Sequence, residues 1–76
     1  MTGPDYRTAI TKLGMTINGS GRFFSVGQAT AHRWGLDGAP GAVDVLLHLM
    51  LAIQRALFIK DVPGWVNLMI GRKAEK

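Results

Sequence analysis

The stretch of residues 18–34, NGSGRFFSVGQATAHRW, constrains the fold of this chain more than any other part of it. Its apolar residues occur where two short helices joined by a tight turn would bring them together, with Phe24 and Val26 beside the turn and Trp34 at the end of the second helix. The small residue Gly21 occurs where the two helices would cross closely. The sequence therefore predicts a helix, a turn and a second helix here.

Glycines weaken the first of these two helices. Gly19 and Gly21 each cost about 1 kcal/mol relative to alanine in a helix interior, so packing against the rest of the protein must offset that cost. Residues 25–27, Ser-Val-Gly, are expected to form the turn, and the second helix is expected over residues 28–34, with Trp34-Gly35 at its end. That second helix carries several side chains that are able to hydrogen-bond base edges and phosphates: Gln28, Thr30, His32 and Arg33.

A first helix is expected over residues 4–13. A proline suits its first position, and Tyr6, Ile10 and Leu13 share one face at helical spacing. Gly14 is expected to end this helix in a left-handed conformation.

The longest helix is expected over residues 42–59, after a loop at 36–41 that contains Asp-Gly and Pro-Gly turn signals. Leu49 and Leu51 add apolar surface beyond what one small core usually needs, which suggests a contact with a second copy of the chain. The broad apolar face of this helix comprises Val43, Leu46, Leu47, Met50, Ile53, Leu57 and Phe58.

The chain after residue 60 is open to two interpretations. Residues 61–64, Asp-Val-Pro-Gly, are expected to break the helix. Residues 65–70 fit helical spacing and strand-like alternation equally, and either structure would close the core or meet a second subunit.

One domain is expected over residues 1–71, and residues 72–76 form a charged tail that is expected to fray. The predicted dimer interface comprises Leu49, Leu51, Trp65, Leu68 and Met69.

Charge and composition narrow the class of partner. The chain has 76 residues, enough for one modest core, and nine Lys and Arg against five Asp and Glu give a net charge of +4. This balance favours a polyanionic partner, although many small basic domains owe their charge to an ordinary solvated surface. There is no cysteine, so the core must hold the fold without disulfides. The first residues show no secretion signal, so a cytoplasmic protein is expected.

The sequence lacks the motifs that are typical of other functional classes. His32 and His48 lie on different expected helices without a nearby ligand cluster, so neither a metal nor another cofactor is expected. No phosphate-binding loop and no pattern for nucleophilic catalysis occurs, so the protein is not expected to be an enzyme. Charged residues interrupt the long helix, so no membrane span is expected. No second domain is available for a small-molecule effector, and none is expected.

The central stretch resembles a known motif. Phe24, Val26 and Trp34, with Gly21 at the helix crossing, resemble the helix-turn-helix of the lambda-repressor-like (XRE/Cro) family. The wider run LGMTINGSGRFFSVGQATAHRW is also similar to short bacterial and phage members, in which an LG(L/M)(S/T) lead precedes the motif and an Arg-Trp pair closes it. The resemblance covers roughly residues 4–58.

The chain departs from this family at two points. The family usually has glycine at the turn position that Ser25 occupies, and a serine there costs about 1 kcal/mol if the turn requires a left-handed conformation. The family also seldom places two glycines in the first helix of the motif, where this chain has Gly19 and Gly21.

The resemblance implies an all-α domain of four to five helices in which the helix over residues 28–34 lies in the major groove. Gln28 would be the leading base reader, and Ala29 would touch a thymine methyl group. His32 and Arg33 would reach a guanine edge or a phosphate. The full DNA-binding set, in which the last three residues contact the backbone, is Gln28, Ala29, Thr30, His32, Arg33, Thr16, Asn18 and Arg22.

Together, these expectations predict that the protein is a sequence-specific transcriptional repressor that binds double-stranded DNA. One recognition helix contacts only a few base pairs, so a homodimer is expected. The alternative is a small phage or mobile-element protein-binding inhibitor or adaptor, which would use the apolar surface near Leu49, Leu51 and Trp65. A third interpretation is a peripheral membrane protein that uses the long helix.

Overall fold

The computed structural model describes residues 1–71, which form five α-helices and, within that range, no β-strand. The expected all-α fold is confirmed. The charged tail expected at residues 72–76 lies outside the described residues. In chain order the helices are α1 (Gly3–Lys12), α2 (Ile17–Phe23), α3 (Gln28–Asp37), α4 (Gly41–Leu57) and α5 (Val62–Met69).

The first helix, α1, packs against α2, α3 and α4 and so lies at the centre of the molecule. The Thr2 hydroxyl caps it by accepting a hydrogen bond from the Asp5 backbone N–H at 3.2 Å. Gly14 follows the helix with φ at 79°, which confirms the expected left-handed residue. Local signals therefore suffice to place α1 within one residue of its observed ends.

The hydrophobic core contains buried residues of α1, α2, α4 and α5. Tyr6, Ile10 and Leu13, which the sequence placed on one face, are all fully buried or nearly so. The other buried members of this core come from four helices and are Ala9, Phe23, Leu47, Met50 and Val62.

A buried hydrogen bond ties Tyr6 to α2. The Tyr6 hydroxyl donates to Ser20 Oγ at 2.6 Å, and Ser20 Oγ donates in turn to the Ile17 carbonyl at 2.7 Å. The Tyr6 ring also meets Trp34 edge-on, with 5.8 Å between ring centroids. Burial raises the pKa of the Tyr6 hydroxyl above its usual range, and the hydrogen bond to Ser20 offsets part of that increase.

We expect Tyr6 to make the fold sensitive to alkaline pH. Its folded-state pKa is raised above the unfolded value of about 10, so its contribution to stability is complete below that pH and is lost as the pH rises through the folded-state pKa. Tyr6→Phe should be about 1 kcal/mol less stable at neutral pH, yet lose less stability than the parent in alkali. Tyr6 is the chain's one tyrosine, so tyrosinate absorbance measures its ionisation directly. Ionisation at the pH of free tyrosine would contradict this prediction.

The third helix is longer than predicted, because Gly35 does not end it. Gly35 is buried, and a Cβ atom there would lie 3.0 Å from Ile17 Cδ1. The Arg7 guanidinium donates to the Gly35 carbonyl at 2.6 Å. This glycine therefore allows α1 and α2 to approach α3 closely, and the helix continues until Gly38, with φ at 107°. The loop predicted over residues 36–41 is reduced to residues 38–40.

The fourth helix ends two residues before its predicted end. Phe58 adopts a left-handed conformation, with φ at 55°, and is 88% exposed. Leu57 is also exposed, so these two residues do not belong to the core face as predicted. The other five predicted members of that face are buried or pack against the core, and they are Val43, Leu46, Leu47, Met50 and Ile53.

The fifth helix begins inside the segment that was predicted to break the chain. The Asp61 carboxylate accepts a hydrogen bond from the Gly64 backbone N–H at 3.1 Å and so caps the helix. Pro63 lies in the first turn, where the N–H group that it lacks would have no helical partner. The helix then continues through Trp65 to Met69, so the strand alternative for this segment is wrong.

Candidate nucleic-acid interface

The second helix forms despite its two glycines because it is capped and packed closely. The Thr16 hydroxyl accepts a hydrogen bond from the Gly19 backbone N–H at 2.9 Å. A Cβ atom on Gly21 would lie 3.1 Å from the Cβ of Ala31, which is fully buried in α3. The predicted close crossing at Gly21 is therefore present, and this packing offsets the low helix propensity of the segment.

The turn at residues 24–27 fixes α3 relative to α2. Ser25 has φ at 58°, in the left-handed region, which costs a serine about 1 kcal/mol relative to glycine. Its backbone N–H donates to the Arg22 carbonyl at 3.1 Å, and the next N–H, of Val26, donates to the Gly21 carbonyl at 2.9 Å. The Phe24 ring lies 5.9 Å from that of Trp34, so aromatic packing also holds the two helices together.

The third helix has one buried side and one exposed side. Ala31 and Gly35 are buried, and Trp34 is half-buried against the core, which confirms its expected packing role. At about 100° per residue, the opposite side is centred on Ala29 and Arg33. All five residues predicted to face DNA from this helix are exposed: Gln28, Ala29, Thr30, His32 and Arg33.

The amino-terminal end of α3 has no side-chain cap. The residue before it is Gly27, and no side chain among residues 1–71 accepts a hydrogen bond from its first turn. No acidic residue occurs in that turn either. The first N–H groups of α3, beginning with that of Gln28, are therefore available to an anion, and the helix dipole favours negative charge there.

A contact between α2 and α3 orients two of the predicted DNA-binding residues. Asn18 Oδ1 lies 3.2 Å from His32 Nε2, and both residues are exposed. In this contact His32 Nε2 donates and Asn18 Oδ1 accepts, so the two N–H groups of the Asn18 amide stay available to an acceptor such as a phosphate oxygen. The structure thus brings Asn18, from the start of α2, beside the exposed side of α3.

The other two predicted backbone contacts lie on either end of α2. The Thr16 hydroxyl is already the acceptor of the cap, and its own proton remains a potential donor. Arg22 is exposed in the last turn, and its guanidinium lies back over α2, since a Cβ atom on Gly19 would be 3.8 Å from Arg22 Nη2. Both side chains are accessible from solvent, at opposite ends of a short helix.

The exposed side of α3 also includes a residue that the sequence reasoning missed. Leu36 is 73% exposed and lies on the same side as Ala29 and Arg33. The sequence predicts a loop at this position, because it predicts that the helix ends at Gly35. Recognising Gly35 as a packing glycine would have extended the helical spacing to Leu36.

The predicted dimer interface is only partly exposed. Leu49 is 56% exposed, and Leu68 and Met69 on α5 are exposed as well, whereas Leu51 and Trp65 are half-buried. Leu49 and Leu51 are two positions apart, or about 200° around the helix, so they face opposite sides of α4. Leu51 packs partly against the core, so only part of its side chain is accessible to a second subunit.

Four small or apolar residues share the side of α4 on which Leu49 lies. They are spaced by four, three and four positions, which is the repeat of one helical face. Leu49, which the sequence predicts to lie outside the core face, is thus part of an exposed stripe of α4. We call it the α4 stripe, and it comprises Val45, Leu49, Ala52 and Ala56.

Neither a metal site nor a membrane-spanning helix is found among residues 1–71. No group of three His, Cys, Asp or Glu residues in that part of the chain lies close enough to hold a metal ion. His48 instead lies beside Asp44, with 2.6 Å between Nδ1 and Oδ1. No single described helix is long and apolar enough to cross a membrane; α3 and α4 meet that criterion only together, and they are bent by 83°.

Comparison with known proteins gives no match: no family model, no curated protein and no solved structure is similar to this chain.

Proposed function

We propose that this protein binds duplex DNA through the exposed side of α3 and represses transcription. The observation that carries the proposal is that Gln28, His32 and Arg33 are all exposed on α3, Gln28 in its first turn and the other two one turn later, while Ala31 and Gly35 hold the helix against α2 and α1. A rigid helix with accessible amide, imidazole and guanidinium groups has the donors and acceptors that base edges require.

Three features around α3 support the same proposal. The uncapped first turn of α3 attracts an anion, and the free amide N–H groups of Asn18 lie beside His32 in the following turn of the same helix. Thr16 and Arg22 add a hydroxyl and a guanidinium on α2. These groups suit phosphates that flank a base-reading helix, so α3 would specify sequence while α2 positions the protein. The net charge of +4 has the sign that this requires.

The resemblance to the lambda-repressor-like family is part of this proposal. The left-handed Ser25 stands where that family usually has glycine, and the close approach of Gly21 to Ala31 fits the tight crossing of a helix-turn-helix. Both observations support the likeness at positions where this chain departs from the residues usual in that family.

Selection of bound sequences from a random duplex pool tests the proposal. We expect enrichment of a short motif, repeated as two half-sites about 34 Å apart, and an affinity that falls steeply with salt concentration. The same selection should be run with a variant in which Gln28, His32 and Arg33 are all alanine, since all three side chains are exposed and their loss should leave the fold intact. Failure of the parent to enrich any sequence would contradict the proposal.

We further propose a homodimer that uses the exposed apolar residues Leu49, Leu68 and Met69. Sedimentation at micromolar concentration should give twice the mass of 8.2 kDa. Leu49→Glu should return the protein to a monomer, because a charge buried at the centre of the α4 stripe is costly. Arg55→Glu, at an exposed position about 90° around α4 from the α4 stripe, is the control and should leave the dimer intact. A parent that stays monomeric both alone and with DNA would contradict this interface.

A second candidate function is favoured by Leu36 and the α4 stripe. Exposed leucines are unusual on a DNA-reading surface but common on a surface that contacts protein. A small inhibitor or adaptor that binds a protein partner would use these residues instead of Gln28 and Arg33. Retention of a partner protein by the parent but not by Leu36→Glu, together with no enriched DNA sequence, would favour this function.

A further inference from the structure

The α4 stripe carries large and small residues in an order that is complementary to itself. Its two larger side chains, Val45 and Leu49, come first along α4 and are 70% and 56% exposed. Its two alanines, Ala52 and Ala56, follow one and two turns later and are exposed as well. In an antiparallel pair of α4 helices aligned midway between residues 50 and 51, Val45 lies opposite the partner's Ala56. Leu49 likewise lies opposite the partner's Ala52, so every large side chain faces a small one, as close helix packing requires.

The two flanks of the α4 stripe differ in polarity. At about 100° per residue, three apolar residues lie roughly 90° to one side of the stripe, and three polar residues lie roughly 90° to the other side. Leu57, in the apolar flank, is 58% exposed, so the accessible apolar surface of α4 continues beyond the stripe. The apolar flank comprises Leu46, Ile53 and Leu57, and the polar flank comprises Asp44, His48 and Arg55.

An antiparallel pair brings like flanks together, whereas a parallel pair does not. Around a two-fold axis, parallel helices place each flank beside the opposite flank of the partner, so Arg55 would lie against apolar residues such as Ile53. Antiparallel helices place apolar flank beside apolar flank, and Arg55 falls within two positions of the level of the partner's Asp44, which has the opposite charge. The polar flank stays at the solvent-exposed rim, where ion pairs add little affinity. It therefore selects the orientation of the second copy, while the stripe supplies the binding.

The length of α4 allows a contact along most of the molecule. Its 17 residues extend about 26 Å, and the longest extent of the Cα trace is 30 Å. The small side chains of Ala52 and Ala56 let the two helix axes approach to about 8 Å, the lower end of the range for packed helices. Such a pair covers the stripe of both copies together with the exposed part of Leu57.

We propose that a second copy of this chain binds with its α4 antiparallel to the first, stripe against stripe, aligned midway between residues 50 and 51. This inference rests on the proposed homodimer and specifies the α4 part of that interface. The contact is isologous, because both copies contribute the same residues, so it closes as a dimer and does not extend into a filament. The same two-fold axis relates the two α3 helices, as an inverted pair of DNA half-sites requires.

Disulfide cross-linking tests the orientation, because the chain has no cysteine of its own. The antiparallel alignment places Val45 beside the partner's Ala56 but about 17 Å along the helix axis from the partner's Val45. A mixture of Val45→Cys and Ala56→Cys proteins should therefore form a mixed disulfide at least about tenfold faster than either variant cross-links to itself. Thr8→Cys, at an exposed position on α1, is the control and should cross-link with either variant at least about tenfold more slowly than they do with each other.

The result separates this pairing from the homodimer as such. Self-cross-linking of Val45→Cys as fast as the mixed reaction would indicate a parallel pair. A parent that sediments as a dimer but gives no mixed disulfide would show that the second copy binds elsewhere. Either result overturns the antiparallel pairing and leaves the homodimer standing, whereas a monomeric parent without cross-links contradicts the homodimer itself.

Exchanging the sizes of two facing residues tests the alignment. Ala52→Leu places leucines opposite each other and should weaken dimerisation by about fivefold or more, measured by sedimentation equilibrium. Adding Leu49→Ala to that variant again gives one large and one small side chain at each facing pair. It should return the dissociation constant to within about threefold of the parent value. Both positions are exposed, so neither change disturbs the core. A double variant that dimerises no better than Ala52→Leu alone would overturn the alignment.

Discussion

Replacing Gln28 with alanine is expected to weaken binding to the selected duplex by about 5- to 150-fold, because a bidentate contact between an amide and an adenine contributes roughly 1–3 kcal/mol. The loss of affinity should occur only for duplexes that keep the contacted base pair, so the variant also becomes less selective at that position.

Arg33→Ala should instead weaken binding to all duplex sequences, if the Arg33 side chain contacts a phosphate. It should also reduce the slope of log affinity against log salt concentration by about one. Fluorescence anisotropy over a series of salt concentrations measures both effects.

Arg55→Ala provides the matched control for these two variants. Arg55 is an exposed arginine on α4, outside the proposed DNA-binding set, and its loss changes the net charge by the same amount as the loss of Arg33. A uniform effect of charge would weaken binding equally in the Arg33 and Arg55 variants, and would argue against a specific role for Arg33. If neither Gln28→Ala nor Arg33→Ala weakens binding more than Arg55→Ala does, α3 is not the recognition helix.

The largest effect on folding is expected at the crossing of α2 and α3. A Cβ atom on Gly21 would lie only 3.1 Å from Ala31 Cβ and 3.4 Å from the Val26 carbonyl oxygen, and valine adds two methyl groups beyond that point. Gly21→Val should therefore force the helices apart and cost about 3 kcal/mol. Against the roughly 4–11 kcal/mol typical of a domain of this length, this is a large part of the total stability. Chemical denaturation followed by circular dichroism measures it.

Gly41→Val is the control for that experiment. Gly41 begins α4, and a Cβ atom there would meet nothing within 4 Å, so the same substitution tests backbone propensity without crowding. We expect it to change the unfolding free energy by less than about 1 kcal/mol. Equal losses from the two substitutions would show that α2 and α3 do not depend on close contact at Gly21.

The predictions that hold are those that rest on local signals. The spacing of Tyr6, Ile10 and Leu13 defines the buried side of α1, and Gly14 ends that helix, because both depend on residues within one or two turns. The polar side chains that the sequence predicts to be accessible on α3, Gln28, Thr30, His32 and Arg33, are likewise exposed, and Ala31 between them is buried.

The predictions that fail are those in which a local signal is overridden by packing or capping. Gly35 and Pro63 both look like helix breakers in the sequence. Gly35 instead lets α1 approach α3, and Pro63 lies in the first turn of a helix that Asp61 caps. Leu51 looks as available as Leu49, but it lies on the opposite side of α4. Glycine and proline are each compatible with two roles, and the neighbours in space decide which role applies.

The sequence by itself determined that this protein is a small basic all-α domain with a helix, a turn and a second helix at its centre, because periodicity, caps and turn residues act over a few positions. Only the tertiary structure decided that Ser25 accepts a left-handed conformation and that Asn18 meets His32. It also placed the Arg7 guanidinium against the Gly35 carbonyl, 28 positions away in the sequence. Contacts between residues so distant in the chain depend on how the helices pack, and no local pattern encodes that packing.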